Sequence, residues 1–251
     1  MSGSAINLEN FRLGAWEDLE WPDRVDVLMT DPPYSNRTHT GMRPERSDGY
    51  GGIEVDYSQI TSHDAWDLAC RFAPMVAHWA IVFSDHLTFE WHAAAWLAQN
   101  LYVFPPVPYV KTNGSPRMKG DGPASVTEWI MVARPRGRLR DPGSRRGFYS
   151  GPTERTPRGE RRAAGHKPGW LLRQILADYS RPGDWIADPY AGTATIGAAA
   201  IGGGRNYTGA EVDPETFKKG SDRLARVRAQ PALIPAHGRQ VDLALGGGPG
   251  G

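Results

Sequence analysis

Residues 184 to 213 constrain the fold more tightly than any other part of this chain. They read Asp184-Trp-Ile-Ala-Asp-Pro-Tyr-Ala-Gly-Thr-Ala-Thr195, then a stretch rich in alanine and glycine, then Asn206-Tyr-Thr-Gly-Ala-Glu-Val-Asp213. Trp185 to Ala187 make a short strand, Asp188 to Thr193 a tight turn, Ala194 to Ile201 a small-residue helix able to pack close to a sheet, and Tyr207 to Val212 the next strand. This is a βαβ unit of an α/β fold. Such units bind nucleoside cofactors at the carboxyl ends of their strands, and Glu211, closing the second strand, is placed to accept hydrogen bonds from both ribose hydroxyls. The turn carries no G-x-G-x-x-G, and no P-loop sequence occurs anywhere, which points to a nucleoside without phosphates rather than a dinucleotide or nucleoside triphosphate. An ordinary α/β connection with a glycine at the turn is the bland alternative.

A second segment carries chemistry. Asp31-Pro32-Pro33-Tyr34 follows directly on the apolar stretch Val25 to Thr30, so a carboxylate and an aromatic ring sit at the mouth of a buried strand. Two prolines supply no N–H and fix φ, and the chain leaves the sheet in a stiff turn with free carbonyl oxygens. The exocyclic amine of a nucleobase is a poor nucleophile because its lone pair is delocalised into the ring. If the Asp31 carboxylate and the Pro32 carbonyl accept its N–H bonds, they draw the nitrogen toward a tetrahedral shape and aim the lone pair at an electrophile. Tyr34 then stacks on the base. Taken alone, the tetrapeptide also describes a prolyl turn ending a strand.

Together the two segments resemble motif IV and motif I of the amino-group methyltransferases that use S-adenosyl-L-methionine. His166-Lys167-Pro168, Leu171-Leu172 and Ser180-Arg181-Pro182-Gly183-Asp184 resemble the stretch that precedes motif I in that family and lines the methionine end of the cofactor. Gly204-Arg205-Asn206-Tyr207 and Arg223-Leu224 match as well, and the resemblance covers most of residues 6 to 228. With Asp-Pro-Pro-Tyr ahead of the cofactor motif, the order is that of the circularly permuted beta group. The resemblance implies a Rossmann-like class I methyltransferase fold, a single mixed sheet with helices on both faces. It implies catalytic roles for Asp31, Pro32, Pro33 and Tyr34. The cofactor cradle it implies is Asp188, Pro189, Tyr190, Ala191, Gly192, Thr193, Glu211 and Val212, with Lys167 and Pro168. The implied reaction moves a methyl group to N6 of an adenine flipped out of DNA, since Asp at the first motif position favours adenine in the family and Ser favours cytosine. N4 of cytosine, adenine in RNA, and a catalytically silent nucleic-acid-binding subunit stay open. Two departures motivate the last. The family's Gly-Ser-Gly-Thr turn is here Gly192-Thr193-Ala194-Thr195, where a Cβ on Ala194 is expected to deny φ > 0. Its Gly-Asp pair near the adenine is Gly14-Ala15.

The expected organisation is a catalytic domain over residues 1–228 and a flexible glycine-rich tail over 229–251. The formal net charge of +1 hides segregation, because residues 134 to 162 carry ten arginines against three acidic residues. The stretch 134–165 is aperiodic and rich in Gly and Pro, so it reads as a loop. It is either a solvated linker or a phosphate-contacting surface, and the resemblance places target recognition there. Arg136, Arg138, Arg145 and Arg146, with Arg37 and Arg43 of the loop 35–52, are the candidate nucleic-acid contacts; Phe148 and Tyr149 are available to stack. The loop 35–52 is a cover for a flipped base or merely long. The small recognition stretch leaves room for a homodimer or a companion restriction nuclease.

Further strands are expected over Ile6 to Arg12 at an edge, Val25 to Thr30 at the centre, Trp79 to Ser84, Tyr102 to Lys111 and Thr127 to Ala133. Helices are expected over Ala65 to Val76, opened by Thr61-Ser-His-Asp64, and over Thr88 to Gln99, where Trp91, Ala95 and Trp96 pack. The single Cys70 excludes an internal disulfide and reads as a buried structural thiol, not the nucleophile that methylating a pyrimidine carbon requires. The seven histidines lack metal spacing, so no metal is expected. With no apolar run of 18 residues and no signal-peptide pattern, a soluble cytoplasmic protein is expected, with no membrane partner.

Overall fold

The apolar run Val25–Thr30 lies where its composition demands, in the middle of a sheet with a parallel neighbour on each side. The computed structural model describes residues 10–34, 60–114, 122–137, 139–154 and 166–229. The elements in chain order are β1 (Phe11–Leu13), β2 (Val25–Thr30), α1 (Ser62–Phe72), β3 (Val76–Ser84), α2 (Phe89–Ala98), β4 (Leu101–Val103), β5 (Val107–Lys111), β6 (Thr127–Pro135), β7 (Tyr149–Gly151), α3 (Gly169–Tyr179), β8 (Trp185–Asp188), α4 (Thr195–Gly202), β9 (Asn206–Glu211) and α5 (Pro214–Ala229). Among the described residues one nine-stranded sheet runs β1-β9-β8-β2-β3-β6-β5-β7, with β4 also paired to β6. The sheet is mixed: β1, β9, β8, β2 and β3 are parallel, and β6 is antiparallel to β3, β4 and β5.

Alternation along the central strands builds two cores. Val27 and Met29 of β2, with Trp79, Ile81 and Phe83 of β3, pack against Leu171 and Ile175 of α3, Ile196 of α4 and Leu224 of α5. Leu28, Ala80 and Val82 face the other way, onto Leu68 and Phe72 of α1 and Trp96 of α2. Each large apolar side chain buried this way stabilises the fold by about 1.5–3 kcal/mol, and the helices therefore cover both faces, as the sequence implies. The register slips between Val25 and Val27, where Asp26 accepts a hydrogen bond from the Trp185 N–H at 2.9 Å.

Parallel alignment gathers the carboxyl ends of β1, β2, β3, β8 and β9 at one edge, here called upper. Because β6 is antiparallel to both β3 and β5, its first residues and the end of β5 reach the same edge. From β2 the chain crosses through α1 to β3; from the adjacent β8 it crosses through α4 to β9, in the opposite direction. The crevice between such diverging strands is where open α/β sheets bind ligands.

Several local expectations change. The single strand over Tyr102 to Lys111 divides at Pro105-Pro106, because two prolines without N–H groups cannot continue a ladder; β4 and β5 pair with different parts of β6. The first helix ends at Phe72, and Val76 opens β3. Its capping box forms as expected, with Asp64 N–H donating to the Thr61 hydroxyl at 3.2 Å and Thr61 N–H to the Asp64 carboxylate at 2.7 Å. Cys70 is exposed rather than buried, its sulfur 3.2 Å from the Gln99 side-chain amide. Tyr149 belongs to β7 and is buried. The expected edge strand is seen as Phe11–Leu13; residues 6–9 and the tail from 230 lie outside the described residues. Ala95 and Trp96 are buried as expected, and Trp91 is half-buried. No helix among the described residues is long and apolar enough to cross a membrane.

The small-residue helix α4 is tight against β9. A Cβ on Gly197 would lie 2.6 Å from a ring carbon of Tyr207, a buried ring tethered by its hydroxyl to Asp188. Overpacking of this kind costs about 1–3 kcal/mol, more than the ~1 kcal/mol that alanine gains over glycine in a helix. Gly197→Ala is therefore expected to lower the urea midpoint of unfolding, and an unchanged or raised midpoint would contradict the contact.

His92 in α2 is fully buried, and neither ring nitrogen has a hydrogen-bond partner among the described residues. Burial pushes its pKa down to about 4, with Asp85 pulling the other way. Between pH 6.5 and 4 the unfolded chain binds a proton that the folded one refuses, so stability falls with pH across that window, by about 3 kcal/mol in all. Urea titrations from pH 7 to 4.5 are expected to show a steeper loss in the wild type than in His92→Leu. Parallel slopes would refute the assignment.

Candidate active site and cofactor cradle

The upper edge brings together what the sequence separates. Asp31 leaves β2 and Lys167 enters α3, and the Lys167 ammonium lies 2.7 and 2.6 Å from the two Asp31 oxygens. The same ammonium is 3.2 Å from Glu128 at the start of β6, and Glu128 pairs with Lys111 at the end of β5 at 2.5 Å. The Tyr34 hydroxyl donates to Glu128 at 3.0 Å, and Lys167 lies 4.8 Å from the Tyr34 ring centroid. Burial pushes the Asp31 carboxyl above its ordinary range, against the pull of Lys167. Burial acts the same way on Glu128, but Lys167 and Lys111 outweigh it and hold that carboxyl down at about 2. Burial would lower Lys167, yet its two carboxylates leave it raised, hence a cation. Pro32 is buried, and Asp31, Pro33 and Tyr34 are half-buried.

Next to this cluster, Asp188 ends β8. The Thr30 hydroxyl donates to it at 2.8 Å and the Tyr207 hydroxyl at 3.2 Å, while Tyr190 N–H donates to Thr30 at 3.2 Å. Burial raises the Asp188 carboxyl to about 7, against the hydrogen bonds from Thr30 and Tyr207. Thr30 thus ties the end of β2 to the start of the turn that follows β8. In that turn Pro189 and Ala191 are buried, Tyr190 packs edge-on to Trp16, and the Thr193 hydroxyl lies 2.7 Å from a His166 ring nitrogen. Ala194 takes φ 54°, so the Cβ does not deny the left-handed conformation; the turn is kept at a strain of about 1–2 kcal/mol.

The residues fit a nucleoside ligand. Gly192 also has φ 54°, and a Cβ there would meet no atom within 4 Å, so the turn borders open space. Glu211 is 8% exposed at the end of β9. One of its oxygens accepts from Asp213 N–H at 2.8 Å, Gly192 and Val212 N–H groups also act on the carboxylate, and its remaining acceptor capacity is what a ribose hydroxyl can use. Val212 is exposed just beyond it. Gly14 N–H donates to the Glu211 carbonyl at 2.9 Å, which sets Gly14-Ala15 beside the same corner.

Other expected site residues lie elsewhere. Arg136, Arg145 and Arg146 follow the end of β6, at the edge of the sheet opposite Asp31, about 20 Å away along the six-residue β2. Arg145 is not a free guanidinium: it lies 4.5 Å from the Trp79 ring centroid and donates to the Asp178, Asp141 and Gly143 carbonyls at 3.0, 2.9 and 3.0 Å. A cation on the last carbonyls of α3 also complements the helix dipole. Arg146 pairs with the Asp178 carboxylate, which also accepts from the Tyr149 hydroxyl at 2.7 Å, so Tyr149 is not available to stack. Phe148 and Arg136 are exposed; Arg37, Arg43 and Arg138 lie outside the described residues. Ser180 to Asp184 also sit at the lower edge. There Arg205 donates to the Ser180 hydroxyl at 3.1 Å, so of the stretch expected near the cofactor only residues 166–168 reach the upper edge.

Sequence reasoning assigned Lys167 to the cofactor, whereas the structure places it on Asp31. It missed Glu128, Lys111, Thr30 and Tyr207. A charged residue at the mouth of a strand, such as Glu128 before the apolar Trp129-Ile-Met-Val-Ala133, was the available clue. Among the described residues no group of three or more His, Cys, Asp or Glu is arranged to hold a metal.

Comparison with known proteins agrees with this geometry. Residues 58 in number align at 47% identity with the DNA adenine methyltransferase YhdJ of Escherichia coli K12, 23% of this chain and 20% of that protein. The type II methyltransferase M.HinfI of Haemophilus influenzae is 21% identical over 238 residues, 83% of this chain and 65% of that protein. The chain thus spans a fifth of the first and just under two thirds of the second. Among solved structures, the M1.HpyAVI–SAM complex superposes with a TM-score of 0.62 at 18% identity, covering 86% of this chain and 98% of that one. The cytosine-N4-specific PvuII DNA methyltransferase gives 0.58 at 11%, covering 87% and 89%. These likenesses show the methyltransferase fold. The DNA methylase family profile matches residues 25–221, and the chain belongs to that N6/N4 DNA methylase family.

Proposed function

We propose that this chain is an S-adenosyl-L-methionine-dependent DNA methyltransferase that methylates the exocyclic N6 amino group of a flipped-out adenine, with its motifs in circularly permuted order. The observation that carries the reading is the junction of two sites: the Thr30 hydroxyl on Asp188 joins the strand bearing Asp31 to the cofactor turn. The cofactor supplies a methyl group on a sulfonium. Asp188, the turn 189–193 and Glu211 hold it at the upper ends of β8 and β9. Asp31 and the Pro32 carbonyl accept the two amine N–H bonds, and Tyr34 stacks on the base. Flipping costs a few kcal/mol, while holding amine and methyl in line removes on the order of 7–11 kcal/mol of barrier. No covalent intermediate is needed. Arg37 and Arg43, which follow Tyr34 in sequence, are the proposed phosphate contacts.

The adenine-specific name of YhdJ and the Asp at the first motif position support N6. The likeness to a cytosine-N4-specific enzyme supports the second reading, N4 of cytosine, on the same acceptors. The test is mass spectrometry of nucleosides from unmethylated DNA incubated with the protein and methyl-labelled S-adenosyl-L-methionine, with RNA in parallel. Labelled N6-methyladenine is the expected product. Labelled N4-methylcytosine would change the target base; no label on any nucleoside would return the chain to the silent binding subunit.

A further inference from the structure

We propose that Glu128 is a positioning residue of the methyl-transfer site: from one carboxylate oxygen it anchors Lys167 and the Tyr34 hydroxyl, and Lys167 thereby holds Asp31 in the orientation that accepts the target amine. The inference deepens the methyltransferase reading and rests on it. Glu128 lies 94 residues from Tyr34 in sequence and reaches it only through the antiparallel placement of β6.

The geometry of the ammonium makes the case. The Lys167 nitrogen lies 2.7 and 2.6 Å from the Asp31 oxygens and 3.2 Å from Glu128. Lysine is a flexible four-carbon stem carrying a point charge, so the second carboxylate restrains where the ammonium sits and with it the Asp31 carboxylate that it pairs. Each Asp31 oxygen keeps a lone pair for the amine while Lys167 uses the other. Glu128 itself is held by Lys111 at 2.5 Å on its second oxygen. Two carboxylates and two ammoniums cancel, which is what lets the Lys167 side chain be only 4% exposed; an unbalanced buried charge would be strongly destabilising.

Among the described residues the groups facing Asp31 are Lys167 before α3, Glu128 on β6 with Lys111 of β5 behind it, Tyr34 on its own turn and Asp188 on β8. An ionised Asp31 is a stronger acceptor of N–H bonds than the neutral acid and has both oxygens free of a proton, so the transfer rate rises with pH through its titration. Removing the Glu128 charge takes away a negative neighbour and eases that ionisation; removing the Lys167 charge hinders it.

The test measures single-turnover methyl transfer against pH, using the full chain, S-adenosyl-L-methionine and methylation-free genomic DNA. Glu128→Gln is expected to move the acid limb to lower pH and still to lower the plateau rate by about 10- to 100-fold, with the cofactor KM unchanged. A rate lost while ionisation becomes easier is a loss of position. Lys167→Met should move the limb to higher pH, and Lys167→Arg should return it. An unchanged Glu128→Gln rate, or a lower rate with an unmoved limb, overturns the proposal. Carboxyl ¹³C NMR titration of Asp31, assigned through Asp31→Asn, reads the same opposite shifts without substrate. If the wild type methylates no nucleic acid, the methyltransferase reading falls and this titration alone decides: opposite shifts uphold the Glu128 arrangement, and unmoved titrations overturn it.

Discussion

Asp31→Ala is expected to lower methyl transfer by at least about 10²–10³-fold, the loss typical of removing one preorganised hydrogen-bonding group from a transition state. In the proposed transfer the methyl is delivered to a nitrogen whose lone pair must be localised, and with Asp31 gone the Pro32 carbonyl would be left as the acceptor. Cofactor affinity should be unchanged, because the cradle stands on β8 and β9, and the contact between the two sites runs through Thr30 rather than Asp31. Stability should fall, since the buried Lys167 ammonium loses one of its two carboxylates and keeps Glu128 at 3.2 Å, so both assays are run well below the unfolding midpoint of the variant. Single-turnover kinetics and calorimetry with S-adenosyl-L-methionine on the same preparation check both halves. A variant that still turns over would remove Asp31 from the mechanism; one that loses cofactor binding would mean the two sites are coupled more closely than Thr30 explains.

Glu211→Ala should act in the opposite sense, weakening cofactor binding by on the order of 10²-fold if two ribose hydroxyls donate to this carboxylate, since each hydrogen bond to a charged group contributes about 1.5–3 kcal/mol. Burial raises the Glu211 carboxyl, while backbone N–H groups of Asp213, Gly192 and Val212 pull it back. Those N–H groups come from the cofactor turn and from the chain just past β9, so the side chain is fixed before a ligand arrives. At saturating cofactor the transfer rate should stay close to that of the wild type. Isothermal titration that finds an unchanged Kd would reduce Glu211 to an ordinary strand end.

Much of the fold was legible because its determinants are local. The apolar run before Asp31, the small residues of α4, the capping box at Thr61 and the carboxylate closing β9 each appear within a window of a few residues, and all formed. Pro105-Pro106 carried its own message of a broken strand. What windows cannot carry is depth across a fold. Cys70 falls on the helical stretch as expected, yet on its outward side. Arg136, Arg145 and Arg146 have the composition of a phosphate-binding loop, but the antiparallel β6 delivers them to the edge of the sheet opposite Asp31, where Arg145 and Arg146 are taken up by the end of α3.

The sequence by itself determined the α/β class, the two motif-bearing strands and the residue types able to activate an amine and hold a ribose, because side-chain chemistry and periodicity are properties of the chain. Tertiary structure alone decided which of those residues meet. Lys167 is 136 residues from Asp31, and Glu128 belongs to a different strand from either. Their contact depends on strand order and register, which arise from burying both faces of one sheet at once, and no short stretch of sequence encodes that.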